Sequence, residues 1–272
     1  MRIPALIATF VTVGFTLASA GAVAGAYLES SQTETGSKEP PQVNKMWFDG
    51  GRMRTENGGK GEGSTAIFKN QAMYVLDPKT KTYRVIDKAA IDQMAAKLGE
   101  ARKKMEAAMA GMPPERRAMM EKMMGQMGGP AAAAAAQAPK RVLKNTGRTE
   151  SVSGIKCTVW EATVSGQKEE ELCAAPPGAI PGGDEMMKTL KDVGEMLKGF
   201  TQSFGANSKA DNAWRDMDTI KGLPILMREF EGGKATSETK LSAARKDSVA
   251  SSQFDVPAGY TEKKLEFGPS SD

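Results

Sequence analysis

Methionine is the residue type with the most distinctive chemistry in this chain. Eighteen methionines are present, and residues 112–127 hold six of them around a pair of prolines. A wide stripe in this segment follows the three- and four-residue spacing of one helix face. It consists of Met119, Met120, Met123, Met124 and Met127. Thioether sulfur is a soft ligand that selects Cu(I), and it is also a flexible apolar group that adapts to varied partners.

Three interpretations of this stripe stay open. Ligands four residues apart on one rigid helix do not converge on one ion without a second segment, and no histidine is present to hold Cu(II), so a Cu(I) site requires further ligands. An amphipathic helix usually buries its apolar face, which favours simple packing. In the third interpretation the five methionines are ligand-binding residues, facing acyl chains or exported polypeptides, and no metal site is predicted.

The chain contains two cysteines, Cys157 and Cys173. In an exported protein an even pair at this separation indicates a disulfide. Closing a loop of this size contributes about 3 kcal/mol in the chain-entropy model. The two residues fall in neighbouring predicted strands, residues 155–164 and 169–174, and their offset depends on where the turn over residues 165–168 is centred.

The composition excludes most catalytic machinery. Because the sequence has no histidine, it has no Ser-His-Asp or Cys-His nucleophile system and none of the usual zinc sites. S-x-x-K matches begin at Ser153 and Ser165, among other places, but the S-D-N and K-T-G elements that accompany this motif in penicillin-recognising enzymes are missing from the sequence. Residues 169–171 are all glutamate, but a strand points successive side chains to opposite faces of the sheet, so this run does not form a general acid/base pair. We therefore predict that the protein is not an enzyme and uses no cofactor.

The N-terminus has the pattern of a secretory signal. Arg2 precedes an uncharged apolar run over residues 3–23, and small-residue cleavage patterns occur at 18–20 and 22–24. An uncleaved anchor helix is the alternative, since the run approaches the ~20 residues needed to span a bilayer. No basic flank follows the run, which favours cleavage. We predict a periplasmic product that is soluble after cleavage and contacts membranes only peripherally.

Nucleic acid is not an expected partner. The 37 basic and 33 acidic residues are spread along the chain without a basic block. Aromatic residues make up only 6% of the sequence, which leaves few platforms for base stacking. The expected partners are instead a lipid or acyl ligand or another envelope protein.

Strand patterns fall into two groups, before residue 90 and after residue 140. In both groups, short segments that alternate apolar and polar residues end at turn signals such as residues 49–51 and 77–80. Between the groups the apolar period becomes helical, and Pro113 and Pro114 separate a first predicted helix from the methionine-rich second one. A further helix is predicted to begin at Asp184, whose carboxylate is suited to cap it.

These elements predict an α+β fold in a single domain. A twisted antiparallel sheet of about eight strands with helices on one face buries the single apolar faces economically. The predicted organisation is a signal peptide over residues 1–24, a flexible N-terminal segment over 25–40 and one sheet domain over 41–267. Within that domain we expect a methionine-rich helical insertion over 88–127 and an alanine- and proline-rich linker over 128–140.

An ordered series of short motifs carries a family resemblance. The motifs are WFDGGRMRTE (47–56), MYVLDPKTKTY (73–83), GIKC (154–157), LCAAP (172–176), GLP (222–224) and FDVPAGY (254–260). Together they resemble the exported family known as domain of unknown function 4412 (DUF4412), which is distantly similar to the LolA/LolB-type periplasmic lipoprotein carriers and receptors. This resemblance implies an antiparallel half-barrel with helices packed on its concave face and a cavity for acyl chains. It assigns no binding residue in this sequence, and the methionine-rich helices look like an insertion relative to the carriers.

The sequence thus predicts a non-catalytic periplasmic protein that binds a hydrophobic ligand, a lipid or acyl chain, or an exported polypeptide. The first alternative is a protein that binds Cu(I) through its methionine-rich helix. The second is an envelope scaffold that has a protein partner and no small ligand. Polar replacements at Met119 and Met123 distinguish these classes, because only the carrier loses a lipid when the apolar surface is interrupted.

Overall fold

The computed structural model describes residues 25–58, 63–111, 113, 141–204 and 209–265. Its strands are β1 (Gly25–Glu34), β2 (Gln42–Asp49), β3 (Arg52–Asn57), β4 (Ser64–Lys69), β5 (Ala72–Asp77), β6 (Thr82–Ile86), β7 (Arg141–Val152), β8 (Ile155–Val164), β9 (Gln167–Ala175), β10 (Leu223–Glu231), β11 (Lys234–Asp247) and β12 (Thr261–Glu262). They form one open sheet in the order β12-β6-β5-β4-β3-β2-β1-β11-β10-β9-β8-β7. Neighbours are antiparallel except β12 and β6, which are parallel. The predicted antiparallel, twisted sheet is confirmed, with more strands than expected.

β1 lies at the centre of this sheet and corrects the expectation of a flexible segment over residues 25–40. It pairs with β2 on one side and β11 on the other, and Ala26, Tyr27 and Leu28 are buried. β1 therefore joins the strand group before residue 90 to the group after residue 140. Its apolar residues follow the predicted signal segment without a break, and its partner β11 lies near the other end of the chain, so local patterns did not reveal it.

Tight turns connect the first strands where the sequence predicts them. Gly50 and Gly51 turn β2 into β3 with φ angles of 56° and 75°. Asn70 and Gln71 turn β4 into β5 with φ angles of 51° and 58°. Two-residue turns with this left-handed backbone match the twist of the strands that they join, which explains why glycine and asparagine occupy them.

The second strand group curls back on itself. Arg228 of β10 contacts Glu150 of β7 through two nitrogen–oxygen distances of 3.1 Å, although β8 and β9 lie between these strands in the sheet. In a flat sheet, strands three places apart are separated by about 14 Å. Ser153, in the turn between β7 and β8, also donates a hydrogen bond to the carbonyl oxygen of Leu241 in β11 at 2.7 Å. The sheet is therefore rolled at this end and remains unclosed.

The described helices are α1 (Lys88–Ala110), α2 (Gly183–Phe204) and α3 (Lys209–Ile220), with 3-10 turns at Pro177–Ala179 and Ser251–Phe254. α1 begins where the sequence predicts a helix, and the carboxylate of Asp87 caps it by accepting the backbone N–H of Ala90 at 2.8 Å. None of these three helices is long and apolar enough to cross a bilayer.

α2 packs against β1 through its apolar face. Met186 and Val193 are buried in the same core as Leu28. Gly182 directly precedes the helix with a φ of 78°, and a Cβ there would lie 2.3 Å from the Cβ of Ala26. Only glycine permits so close an approach of the helix start to the central strand.

The C-terminal part of the chain covers the other face of the first strand group. Phe254 is fully buried and forms a second core with Ile67 and Leu76. Lys69 pairs with Asp255 at 2.7 Å beside this core. The FDVPAGY motif therefore has a structural role, because it seals one side of the sheet.

Candidate functional site

The structure confirms the disulfide between Cys157 and Cys173, whose Cα atoms are 5.4 Å apart. A bulge in the β8–β9 pairing places Cys173 opposite Val159. Without this bulge Cys173 would lie opposite Thr158, whose side chain points to the other face of the sheet from that of Cys157. The bulge therefore brings both cysteines to one face, a detail that the position of the turn alone did not predict.

The methionine surface predicted from the sequence stays a prediction. Its residues, and the second helix and linker predicted around them, lie outside the part of the chain that the structure describes. These residues are Met119, Met120, Met123, Met124 and Met127. Of the first predicted helix, Met94 and Met109 are half-buried in α1.

A different group of methionines lines cavities between the helices and the sheet. Met46 comes from β2, Met186 and Met187 from α2, Met217 from α3 and Met227 from β10. Three consecutive elements and the distant strand β2 thus converge on one apolar surface, which we call the methionine groove. Flexible thioether side chains can reshape such a surface around an apolar guest at little cost.

Three cavities adjoin along the methionine groove, and Met217 borders all of them. A cavity of about 560 Å³ lies between α3 and strands β9 and β10, with Leu172 and Met227 in its wall. A cavity of about 320 Å³ lies between α2 and α3. The third, of about 230 Å³, lies between α2 and the sheet. Leu190 borders the second and third cavities and Pro224 the first and third, so the three cavities are neighbours that share wall residues.

An ion-pair clamp attaches α3 to the sheet at the mouth of the largest cavity. Arg141 of β7 contacts Glu170 of β9 and Asp216 of α3, both at 2.6 Å. Asp216 is only 7% exposed, so the pair is shielded from water. Burial alone would lower the pKa of Arg141, but the hydrogen bonds to Asp216 and Glu170 outweigh it and raise that pKa. Arg141 therefore keeps its positive charge, and the clamp fixes the position of α3.

A second ion network lies where the second strand group curls back on itself. Glu171 is 5% exposed and accepts hydrogen bonds from Lys168, Arg148 and Arg228 at 2.7, 2.6 and 2.9 Å. Burial would raise the pKa of Glu171, but these three bonds outweigh burial and lower it to about 2. Because each carboxylate oxygen already accepts from a cation, the network suits structural crosslinking rather than acid–base chemistry.

Oxygen and sulfur ligands do not converge elsewhere in the described ranges. Those ranges contain no group of three or more Asp, Glu, Cys or His side chains that could hold a metal ion. The apolar methionine groove with its charged mouth is therefore the strongest candidate site on the part of the molecule that is described.

The sequence carried part of the signal for this site. Met187, Leu190 and Val193 mark the apolar face of the helix predicted to begin at Asp184, and that helix is present as α2. Met217 and Met227 gave no such signal, because each is a single methionine without a methionine neighbour. Their role follows from the way α3 lies over β10, the strand that comes next in the chain.

Comparisons with known proteins give one family and several distant structural matches. The model of the family described as "Domain of unknown function (DUF4412)" matches residues 90–260. That range contains the GIKC, LCAAP, GLP and FDVPAGY motifs. No curated protein sequence matches the chain.

Among solved structures, an uncharacterised conserved protein from Thermus thermophilus matches with a TM-score of 0.42 at 8% identity, over 89% of this chain and 91% of the other. The MucA/MucB complex of Pseudomonas aeruginosa gives 0.37 at 9% identity, over 87% of this chain and 57% of the matched one, so this chain spans little more than half of that length. A LolA superfamily protein from Nitrosomonas europaea gives 0.27 at 10% identity, over 85% and 89%. These low similarities assign neither ligand nor partner.

Proposed function

The chain belongs to the DUF4412 family, and we propose that it is an exported, non-catalytic periplasmic protein that binds a hydrophobic ligand in the methionine groove. The ligand is a lipid or acyl chain, held between the sheet and helices α2 and α3, which close its concave side. The family membership confirms the resemblance seen in the sequence motifs. The location of the ligand differs from the sequence-based expectation, because the groove methionines are not those of residues 119–127.

The observation that carries this proposal is that three neighbouring cavities share Met217 in their walls. The largest, about 560 Å³, lies within the range of roughly 300–1,000 Å³ that is typical of small-molecule sites. Its neighbours extend the apolar space along α2, which suits a chain-like guest better than a compact one. A wall rich in methionine accommodates chains of different length.

The surrounding scaffold supports a preformed site. The disulfide ties β8 to β9, and the Arg141 clamp ties β7, β9 and α3 together. Both constraints lie next to the walls of the largest cavity and fix them before a ligand arrives. Preorganised walls reduce the conformational entropy lost on binding.

Native mass spectrometry of protein purified gently from its own cells tests the proposal. We expect a heterogeneous adduct of several hundred daltons that disappears on denaturation, on a chain that lacks its first 24 residues. Met217→Gln places a polar amide in all three cavities and is expected to weaken dodecanol binding about tenfold, whereas Met94→Gln, in a half-buried methionine that borders none of the described cavities, leaves it unchanged.

Other outcomes point to other functions. An adduct of copper mass that is lost in Met217→Leu, a variant of similar bulk without sulfur, replaces the lipid proposal with a Cu(I) site. A bare mature chain that also fails to bind dodecanol in titration refutes the carrier proposal and favours an interaction scaffold.

A further inference from the structure

The mouth of the largest cavity is strongly acidic. Five carboxylates and one guanidinium border this cavity among the described residues, a formal charge of −4. Arg141 is already engaged by Glu170 and Asp216 in the clamp, so its positive charge faces inward to these two partners. The other acids are Glu169 and Glu231, which are exposed, and Glu229, which is half-buried and accepts a hydrogen bond from Ser237 at 3.2 Å.

The floor beneath this acidic rim is apolar. Leu172 is buried, and Met217, Met227 and Phe230 are half-buried around the same cavity. The exposed carboxylates Glu169 and Glu231 therefore lie on the solvent side of this lining, whereas its apolar side chains are buried or half-buried. This arrangement matches a guest that has one charged end and one apolar chain.

The opposite end of the methionine groove has the other sign of charge. The cavity between α2 and α3 is bordered by Lys191, Lys221 and Asp218, a formal charge of +1. All three of these side chains are exposed, so water and salt screen them. The acidic mouth holds more charge, and part of it is half-buried, so it determines the preferred head group.

Resting on the proposed function, we propose that the natural ligand is a single-chain amphiphile with a positively charged amino head group. The ammonium lies among Glu169, Glu229 and Glu231 at the acidic mouth, and the chain runs past Met227 and Met217 towards α2. An anionic head group at this mouth lies beside the exposed carboxylates Glu169 and Glu231, which disfavours a free fatty acid in this orientation.

Three probes of equal chain length test the head group directly. Binding of dodecylamine, dodecanol and dodecanoate to the whole protein is measured by calorimetry below their micelle concentrations, at low and at physiological salt. We expect dodecylammonium to bind about tenfold more tightly than dodecanoate, with dodecanol between them, and salt to reduce this preference. The double variant Glu169→Gln/Glu231→Gln is expected to lose most of the preference without changing dodecanol binding. Glu195→Gln, an exposed site on α2 that borders none of the described cavities, is the matched control and keeps the preference.

The outcomes separate this inference from the function on which it rests. If none of the three probes binds, the hydrophobic-ligand function itself fails. If dodecanoate binds as well as dodecylamine, or if the preference for the amine survives in the double variant, only the head-group assignment is overturned. A preference for dodecanoate that disappears in Lys191→Gln/Lys221→Gln assigns the head group to the opposite mouth and refutes the cationic ligand.

Discussion

Glu171→Gln removes a buried carboxylate from the centre of the ion network that joins β7, β9, β10 and β11. In the native protein that carboxylate accepts hydrogen bonds from Lys168, Arg148 and Arg228, and Arg228 also contacts Glu238 at 2.9 Å. The amide of glutamine keeps the shape of the side chain but loses its charge. The substitution therefore tests how strongly protonation of this one group affects the fold.

The size of the effect follows from the pKa of Glu171. It is about 2 in the folded protein, against 4.5 for an unperturbed glutamate. At about 1.36 kcal/mol per pH unit, this difference contributes about 3 kcal/mol to the free energy of unfolding. Because the folded pKa is the lower one, the contribution is complete above about pH 4.5 and is lost as the pH falls towards 2.

Urea unfolding of both proteins at a series of pH values measures this contribution. We expect the wild type to lose about 3 kcal/mol more than Glu171→Gln as the pH falls from about 6 to 2, because the other carboxylates titrate in both proteins. Glu195→Gln, which changes an exposed carboxylate, is expected to follow the wild type. If the free energy of unfolding fell with pH equally in the wild type and in Glu171→Gln, the argument that this network lowers the pKa of Glu171 would be refuted.

Three further substitutions test the packing around the sheet, each by chemical unfolding at neutral pH. Replacing Cys157 and Cys173 together by alanine is expected to cost about 3 kcal/mol, and no loss of stability would contradict the loop-closure argument. Gly182→Ala puts a side chain on a left-handed backbone and makes it clash with β1, so it is expected to lower the free energy of unfolding by about 3 kcal/mol. The control Gly259→Ala has a φ of 84° but open space around it, and is expected to lower the free energy of unfolding by about 1 kcal/mol. Equal losses in the two variants would contradict the clash. Phe254→Ala empties the second core and is expected to cost roughly 3–5 kcal/mol; a cost below about 1 kcal/mol would show that this segment does not seal the sheet.

Local patterns in the sequence predicted most of the strands because each strand ends at a strong turn signal. Residues 155–164 were predicted with the bounds that β8 has in the structure, and the Gly50–Gly51 turn occupies its predicted place. β1 was missed because its apolar start continues the predicted signal segment, and because one of its two partners, β11, lies near the other end of the chain and leaves no local signal. Long-range pairing decides the sheet order, and a single sequence does not encode it in any local window.

The candidate site was harder to predict for a related reason. The densest methionine stripe drew attention to residues 119–127, where the spacing along one helix is visible in the sequence. The groove instead takes one or two methionines from each of β2, α2, α3 and β10. Periodicity detects a face of one element, whereas a cavity is formed between elements, so only the packing of Met217 over Met227 reveals it.

The different attachments of α2 and α3 explain why the cavities lie where they do. α2 is held by apolar burial, since Met186 and Val193 fill the space against the central strands. α3 is held at Asp216 by the Arg141 clamp. An ion pair fixes the position of a helix without requiring side chains to fill all the space beneath it, so Met217 borders cavities as well as packing against the edge of the core. The apolar groove thus follows from the polar attachment of α3, and the charged groups at its mouth also keep it open.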